Sequence, residues 1–253
     1  MIPRTIHYCW FGKNPKPKLA RKCIKSWKKK CPDYEIIEWN EDNFDISTTP
    51  LYVRQAYEAK KWAFVSDYAR LWIIYTHGGV YLDTDVELIK PIDDLLSNKA
   101  YFGLEKEYIN TGLGFGAEKG HKFIHLMMVD YNNSSFLDSN GSFDLTPCPI
   151  KNTKAIAHYL SDETLKTYGV NIYDSDYFNP YNASTCELKI TQNTKSIHWY
   201  NASWFTDEQK IFYKHRIYIT KCEIQFGHKM GNLFGRISYA ILHPIERKKL
   251  KKL

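Results

Sequence analysis

The stretch from Trp62 to Pro91, WAFVSDYARLWIIYTHGGVYLDTDVELIKP, constrains this chain more than any other. Its first half is apolar on most sides of a helical wheel, interrupted only by Ser66, Asp67 and Arg70. A helix of that kind belongs inside a protein, and its charged residues go in with it. Gly78 and Gly79 stop the helix, and Val80-Tyr81-Leu82 follows as a strand that delivers Asp83 and Asp85. Residues i and i+2 of a strand share a face, so the spacing predicts two carboxylates converging on one ion. Oxygen-only ligation suits a hard cation, Mn²⁺ or Mg²⁺, better than zinc. Such an ion commonly bridges a diphosphate and neutralises the charge on a departing nucleoside diphosphate. A solvated acidic turn is the plain alternative; the position directly behind VYL and the Gly-Gly stop favours the chemical reading.

Asp67 and Arg70 are three residues apart, hence neighbours on the helix, with Ser66 one turn from Arg70. On a surface such a pair contributes about 0.3–0.5 kcal/mol and means little. The flanking AFV and LWIIY predict burial instead. A buried ion pair is costly to desolvate, and a carboxylate beside a guanidinium offers the acceptor and donor that sugar hydroxyls require.

Around this stretch the pattern is that of an α/β protein. Thr5–Phe11 and Tyr34–Trp39 read as strands, and Leu19–Lys30 between them as a helix with a basic outer face. Strand, helix, strand implies a parallel pair. Further helices are expected over Leu51–Lys61, Lys122–Tyr131, Lys154–Leu160, Asp207–Ile219 and Leu233–Leu253, with strands at Tyr101–Leu104 and Ile172–Tyr173. Ile109–Gly116, INTGLGFG, reads as a Gly-rich segment. The composition shift near residue 206 predicts a main domain over 1–205 and a helical, basic extension over 206–253. With 253 residues the chain is long enough for that arrangement.

Several classes are disfavoured. No stretch reaches the roughly 18 apolar residues of a membrane-spanning helix. No GxxxxGK[ST] loop is present, which weakens an NTPase. The six cysteines lack CxxC or Cys/His zinc spacing, and without a signal peptide the expectation is reduced thiols in the cytoplasm.

Four blocks in order, IPRTIHYCWFG, SDYARL, HGGVYLDTD and HWYNASW, resemble the DXD-containing sugar-transferase family. That family includes capsule and lipopolysaccharide glycosyltransferases and the yeast initiating mannosyltransferases, with the large clostridial toxin glucosyltransferase domains as distant relatives. The resemblance spans roughly residues 2 to 205. It implies a GT-A fold, a Rossmann-like mixed sheet flanked by helices. It also implies a nucleotide-sugar donor, a divalent metal and retention at the anomeric carbon. Carried over residue by residue, Trp10 stacks on the base, and Asp67 and Arg70, with Ser66 beside them, bind the donor sugar. Tyr81 lines the sugar site, while Asp83 and Asp85 hold the metal and diphosphate. His198 is the candidate late metal ligand, in a place where the toxins use an acidic residue; Ser203 and Trp204 fall near the phosphates. Asn110, from its place in INTG, either faces the sugar or acceptor or serves as a turn residue. His7 is assigned to packing.

The net charge of +7 is concentrated at the two ends of the chain. Leu233, Phe234, Ile237, Ala240, Ile241 and Ile245 fall at helical spacing before ERKKLKKL. That pattern fits a helix on an anionic membrane surface, and equally a core-docked helix with a solvated tail. The sequence reading is thus a metal-dependent hexosyltransferase acting on a growing polysaccharide or lipid-linked saccharide, peripheral to the inner face of the cytoplasmic membrane. UDP-hexose is the favoured donor and GDP-mannose the second. A metal-dependent nucleotidyl- or phosphotransferase is the first alternative. A basic nucleic-acid-binding module is the second, and it leaves the acidic stretch unexplained; nucleic acid is not an expected partner.

Overall fold

The computed structural model describes residues 1–183, 185 and 187–200, single helical positions between 211 and 226, and 228–243. The chain divides into two units: Met1–Pro180 with Ile190–His198, and Tyr181–Lys189 with Trp199–Leu253.

The first unit begins with β1 (Thr5–Cys9), α1 (Lys18–Lys30), β2 (Glu35–Trp39), α2 (Leu51–Glu58), α3 (Trp62–His77) and β3 (Gly79–Tyr81). After β4 (Val86–Leu88) come β5 (Ala100–Glu105), β6 (Tyr108–Asn110), β7 (Phe115–Ala117) and α4 (Lys122–Asn132). The helices α5 (Cys148–Ile156) and α6 (Asp162–Tyr168) precede β8 (Val170–Tyr173). Seven strands form one mixed sheet in the order β2-β1-β3-β7-β5-β6, with β8 beside β5. β1 pairs in parallel with both β2 and β3, as a βαβ start requires, whereas β7 runs antiparallel to β3 and β5. The fold class is therefore the expected mixed α/β one.

Side-chain alternation along β1 explains the layers. Tyr8 points toward α1, its ring 5.5 Å from that of Trp27. His7 and Cys9 point the other way, toward α3, whose Val65, Ala69, Leu71, Ile73 and Ile74 are fully buried. α1 is tied to the segment behind the DTD turn, since Trp27 Nε1 donates to the Val86 carbonyl at 2.7 Å and Leu88 N donates to Ser26 Oγ at 2.9 Å.

Some boundaries differ from expectation for physical reasons. The helix expected over 51–61 ends at Glu58, and the chain turns through Lys60 at φ 56° before α3 begins. The helix expected from Lys154 starts at Cys148, with Pro149 in its first turn, where a missing N–H leaves nothing unsatisfied. INTGLGFG contains the end of β6 and the start of β7, joined by the loop that reaches the site below. The helix at Asp207–Ile219 falls largely outside the described residues; the last helix spans His228–Leu242, and Pro244 lies outside them.

The junction of α3 and β3 depends on His7. Gly78 and Gly79 have φ of 71° and 104°, a region open chiefly to glycine. A Cβ at Gly79 would lie 2.8 Å from the Thr5 carbonyl oxygen and 2.9 Å from His7 Nε2. Trp39 Nε1 donates to His7 Nδ1 at 3.1 Å, so the remaining ring nitrogen carries the proton and donates to the Gly78 carbonyl at 3.0 Å. A protonated imidazole has no acceptor left for Trp39. Burial accordingly pushes the His7 pKa down to about 4.

Because the unfolded chain takes up this proton near pH 6.5 and the folded one only near 4, His7 contributes stability above pH 6.5 that is lost as the pH falls. The full loss is about 3 kcal/mol. In His7→Gln, which keeps one donor and one acceptor, urea unfolding should show a shallower loss of stability between pH 6.5 and 4 than wild type. An unchanged slope would remove His7 as its source.

Candidate active site

Asp83 follows β3, and the Val86 amide donates to its carbonyl at 2.9 Å. The DTD segment is thus a tight turn between β3 and β4. Strand alternation does not apply to Asp83 and Asp85, which corrects the sequence argument for their convergence. What gathers their surroundings is the partner chemistry of each carboxylate.

Arg70, buried on α3, places Nη2 3.0 Å from Asp83 Oδ1 and 3.2 Å from Asp67 Oδ1. The Tyr81 hydroxyl donates to the same Asp83 oxygen at 3.1 Å, and Arg70 Cζ lies 5.1 Å from the centroid of the Tyr81 ring. Tyr81 thereby fixes both partners, one by its hydroxyl and one by its ring face. Cys148, at the start of α5, has its sulfur 3.5 Å from Arg70 Nη1. Ser66 donates its hydroxyl to the Trp62 carbonyl one turn back at 3.0 Å, so it is engaged with its own helix.

Asp85 contacts His198 across 113 residues, Oδ1 to Nε2 at 3.3 Å. The cause is a short ladder between β4 and the strand Ser196–His198, which sets His198 opposite Val86. Asn110 sits at the end of β6. Its Oδ1 accepts from the Gly112 amide at 2.6 Å, and its Nδ2 donates to Glu105 Oε2 at 2.5 Å. Asn110 has no positive φ, so it holds the loop by its side chain rather than by a left-handed backbone.

Trp10 stands apart from this group. Its indole donates to the Asn14 carbonyl at 2.6 Å, and the Lys16 ammonium lies 5.6 Å from its ring centre. These partners belong to the loop after β1. Ser203 and Trp204 lie outside the described residues.

Three residues at the site were not singled out from sequence. Gly112 is the most telling: a Cβ there would stand 2.5 Å from Asp83 Oδ2, 3.0 Å from Asn110 Oδ1 and 3.2 Å from Arg70 Nη1. The Gly-rich INTGLGFG was the available signal. Glu105 is held by Asn110 and contributes, with Asp85 and Asp83, to the field on His198. Cys148 had no sequence signal.

Charge is unevenly balanced here. Burial lifts the Asp83 carboxyl to about 6, opposed by Arg70 and reinforced by Asp85. Asp67 is also raised, burial outweighing Arg70. His198 moves up although burial alone would lower it, because Asp85, Asp83 and Glu105 favour its cation. Asp67, Asp83, Asp85 and Glu105 thus face Arg70 and His198, an excess of negative charge even with both bases protonated. Among the described residues no three His, Cys, Asp or Glu side chains are gathered as a ready cage for an ion. Two neighbouring carboxylates with an imidazole nonetheless fit a divalent cation of the Mg²⁺ or Mn²⁺ kind, which keeps waters and shares phosphate oxygens.

Residues 17–102 match the family described as "Glycosyltransferase sugar-binding region containing DXD motif". That stretch, about a third of the chain, is similar to the sugar-binding region of DXD glycosyltransferases. Asp67, Arg70, Tyr81, Asp83 and Asp85 all fall within the match, while Trp10, Asn110 and His198 fall outside it. The chain is 30% identical over 135 residues to inositol phosphoceramide mannosyltransferase 1 of Schizosaccharomyces pombe, covering 49% of this chain and 41% of that protein. It thus spans less than half the length of that yeast relative. An uncharacterized glycosyltransferase of Acanthamoeba polyphaga mimivirus is 27% identical over 241 residues, covering 87% of this chain and 91% of the viral one. Among solved structures the PaToxG glycosyltransferase superposes with a TM-score of 0.52 at 19% identity, covering 66% of this chain and 73% of that one. The fold is accordingly GT-A-like, shared with glycosyltransferases.

Two substitutions separate the parts of this site. Gly112→Ala needs no unusual backbone, so its effect is the added methyl, which displaces Asp83 or Arg70 at a cost of about 1–3 kcal/mol. Activity should fall at least about tenfold while the protein stays folded. Arg70→Lys leaves Asp67 or Asp83 without its partner and should cost about 3–5 kcal/mol in denaturant unfolding.

Proposed function

We propose that this protein transfers a hexose from a nucleoside diphosphate sugar to a saccharide or glycolipid acceptor, with a divalent cation bound beside Asp83 and Asp85. The observation that carries this reading is the Asp67–Arg70–Asp83 network, buried against Tyr81 and roofed by a glycine that leaves room only for backbone. Buried charge of this kind is a poor device for stability, and well-packed apolar residues would serve a core at least as well.

In this reading Asp67 accepts from hydroxyls of the donor sugar, and Arg70 holds both carboxylates in place while donating toward the same sugar. Tyr81 keeps the guanidinium and Asp83 in register. Asp85 and His198 stand on the diphosphate side, where a bound Mn²⁺ or Mg²⁺ would stabilise the leaving nucleoside diphosphate as a Lewis acid. The excess of carboxylate over basic side chains supports a cation there. Trp10 is proposed to stack on the base, with its half-exposed ring at the mouth of β1. UDP-hexose is the first donor to test. GDP-mannose is the second, and the mannosyltransferase names of the yeast relatives make it a necessary comparison. No covalent nucleophile is identified among these residues, so attack on the same face as the departing phosphate is the proposed course, with retention.

A thermal-shift panel of UDP-glucose, UDP-galactose and GDP-mannose, each with and without Mn²⁺, tests the reading. At about 100 times its Kd a bound donor adds about 2.7 kcal/mol, which raises Tm by about 5–10 °C in a chain of this size. Asp83→Asn and Asp85→Asn should abolish the Mn²⁺-dependent part of that shift and lower transfer by at least about a hundredfold. Transfer at wild-type rates in chelator would overturn the metal-assisted mechanism.

A further inference from the structure

The helix His228–Leu242 has two faces of opposite kind. On the inner one, Gly231 and Gly235 lie against the preceding helical segment. A Cβ at Gly231 would stand 2.3 Å from the Cys222 carbonyl oxygen, and one at Gly235 would stand 3.0 Å from Ile219 Cα. Tyr239 completes that face, its ring 4.7 Å from His215 and 5.4 Å from Tyr218. The helix is therefore already docked, by glycines that allow close backbone approach.

On the outer face Met230, Leu233, Phe234, Ile237 and Ile241 fall at i, i+3, i+4, i+7 and i+11, and they are 73%, 63%, 53%, 52% and 71% exposed. Phe226 extends the stripe, with its ring 5.2 Å from that of Phe234. A helix docked through its opposite side gains nothing in folding from such a stripe, and a contiguous apolar surface of this size marks an interaction site. Lys229 and Arg236 flank it, both exposed, and the helix contains no Asp or Glu. Arg247, Lys248, Lys249, Lys251 and Lys252 follow in the sequence.

We propose that this face lies in the interface of an anionic lipid bilayer, with the helix axis in the plane of the membrane. Fifteen residues make a helix of about 22 Å, short of the roughly 30 Å hydrocarbon core. Consistently, no described helix is long and apolar enough to cross a membrane. The apolar stripe supplies burial below the headgroups, and the flanking and following basic residues supply attraction to them. The same basic residues disfavour a second copy of the chain as occupant. A two-fold pairing through this stripe would bring Lys229 and Arg236 toward their own counterparts. The proposal does not rest on the donor-site chemistry, and its test reads membrane binding alone.

The test is co-sedimentation of the full chain with phosphatidylcholine vesicles that contain or lack phosphatidylglycerol. The chain should bind the anionic vesicles, bind the neutral ones weakly, and be released as salt rises. Leu233→Asp combined with Ile237→Asp should lower partitioning about a hundredfold, the loss of two buried aliphatic side chains, with Tm unchanged because neither residue packs inward. Lys229→Glu with Arg236→Glu leaves the stripe whole and should lower binding to anionic vesicles by about tenfold or more, without affecting neutral ones. The proposal is overturned by any of three results: wild-type binding in the aspartate variant, equal partitioning with and without phosphatidylglycerol, or a dimer in light scattering that the aspartate variant converts to monomer.

Discussion

The guanidinium of Arg70 is the group on which the site depends. It is buried on α3, yet it bonds a carboxylate from its own helix and another from the turn after β3. One nitrogen, Nη2, ties the helix to the turn while Nη1 reaches Cys148 and the guanidinium lies over the Tyr81 ring, a set of contacts that the point charge of a lysine would not make together. Tyr81 closes the arrangement from below, and Gly112 closes it from above. Arg70, Tyr81, Asp83 and Gly112 lie on a helix, a strand, a turn and a loop, so the meeting of Arg70 with Asp83 is set by the sheet as a whole rather than by any local motif.

That dependence extends to the junction of α3 and β3. The two glycines reverse the chain so that Arg70 and Asp83 can meet, and His7 holds the reversal through a neutral ring bonded on both sides. Acid acts on these two places in opposite senses. His7 loses stability as it is forced to charge, whereas Asp83, raised to about 6, gains as it is allowed to discharge. His7 on β1 is therefore kept neutral, whereas the turn after β3 holds a carboxylate against a guanidinium.

How much of this was legible in the sequence follows from the range of the forces involved. The buried helix, the Gly-Gly stop and the acidic pair are local patterns, and the structure places them near the expected residues. Arg70 and Asp67 were legible because flanking apolar residues imply burial. The turn geometry of Asp83 and Asp85 was not, because a strand and a turn share the same VYLDTD reading until the Val86 amide is seen to close on Asp83. His198 was named only through the family resemblance, and it and Cys148 reach the site through long-range pairings, the ladder to β4 and the start of α5, whereas Glu105 is held within the β5–β6 hairpin. Gly112 was half visible: a Gly-rich run signals close approach, but not to which atoms.

The electrostatics of the molecule work at two ranges. At short range the site carries more carboxylate than base, which attracts a divalent cation and would repel a diphosphate on its own. Over the molecule as a whole the net charge is +7, with lysines dense along α1. α1 is tied directly behind the DTD turn through Trp27 and Ser26, and Lys22 binds Glu87 on β4 at 2.6 Å. Beyond a Debye length of about 8 Å an anionic substrate senses little of either field, and within it the basic helix offsets the acidic turn. A metal bound beside the carboxylates would reverse the sign of the site itself. Under the proposed function the cation would therefore be a precondition for productive binding of a diphosphate, and the two events would be ordered without any moving part.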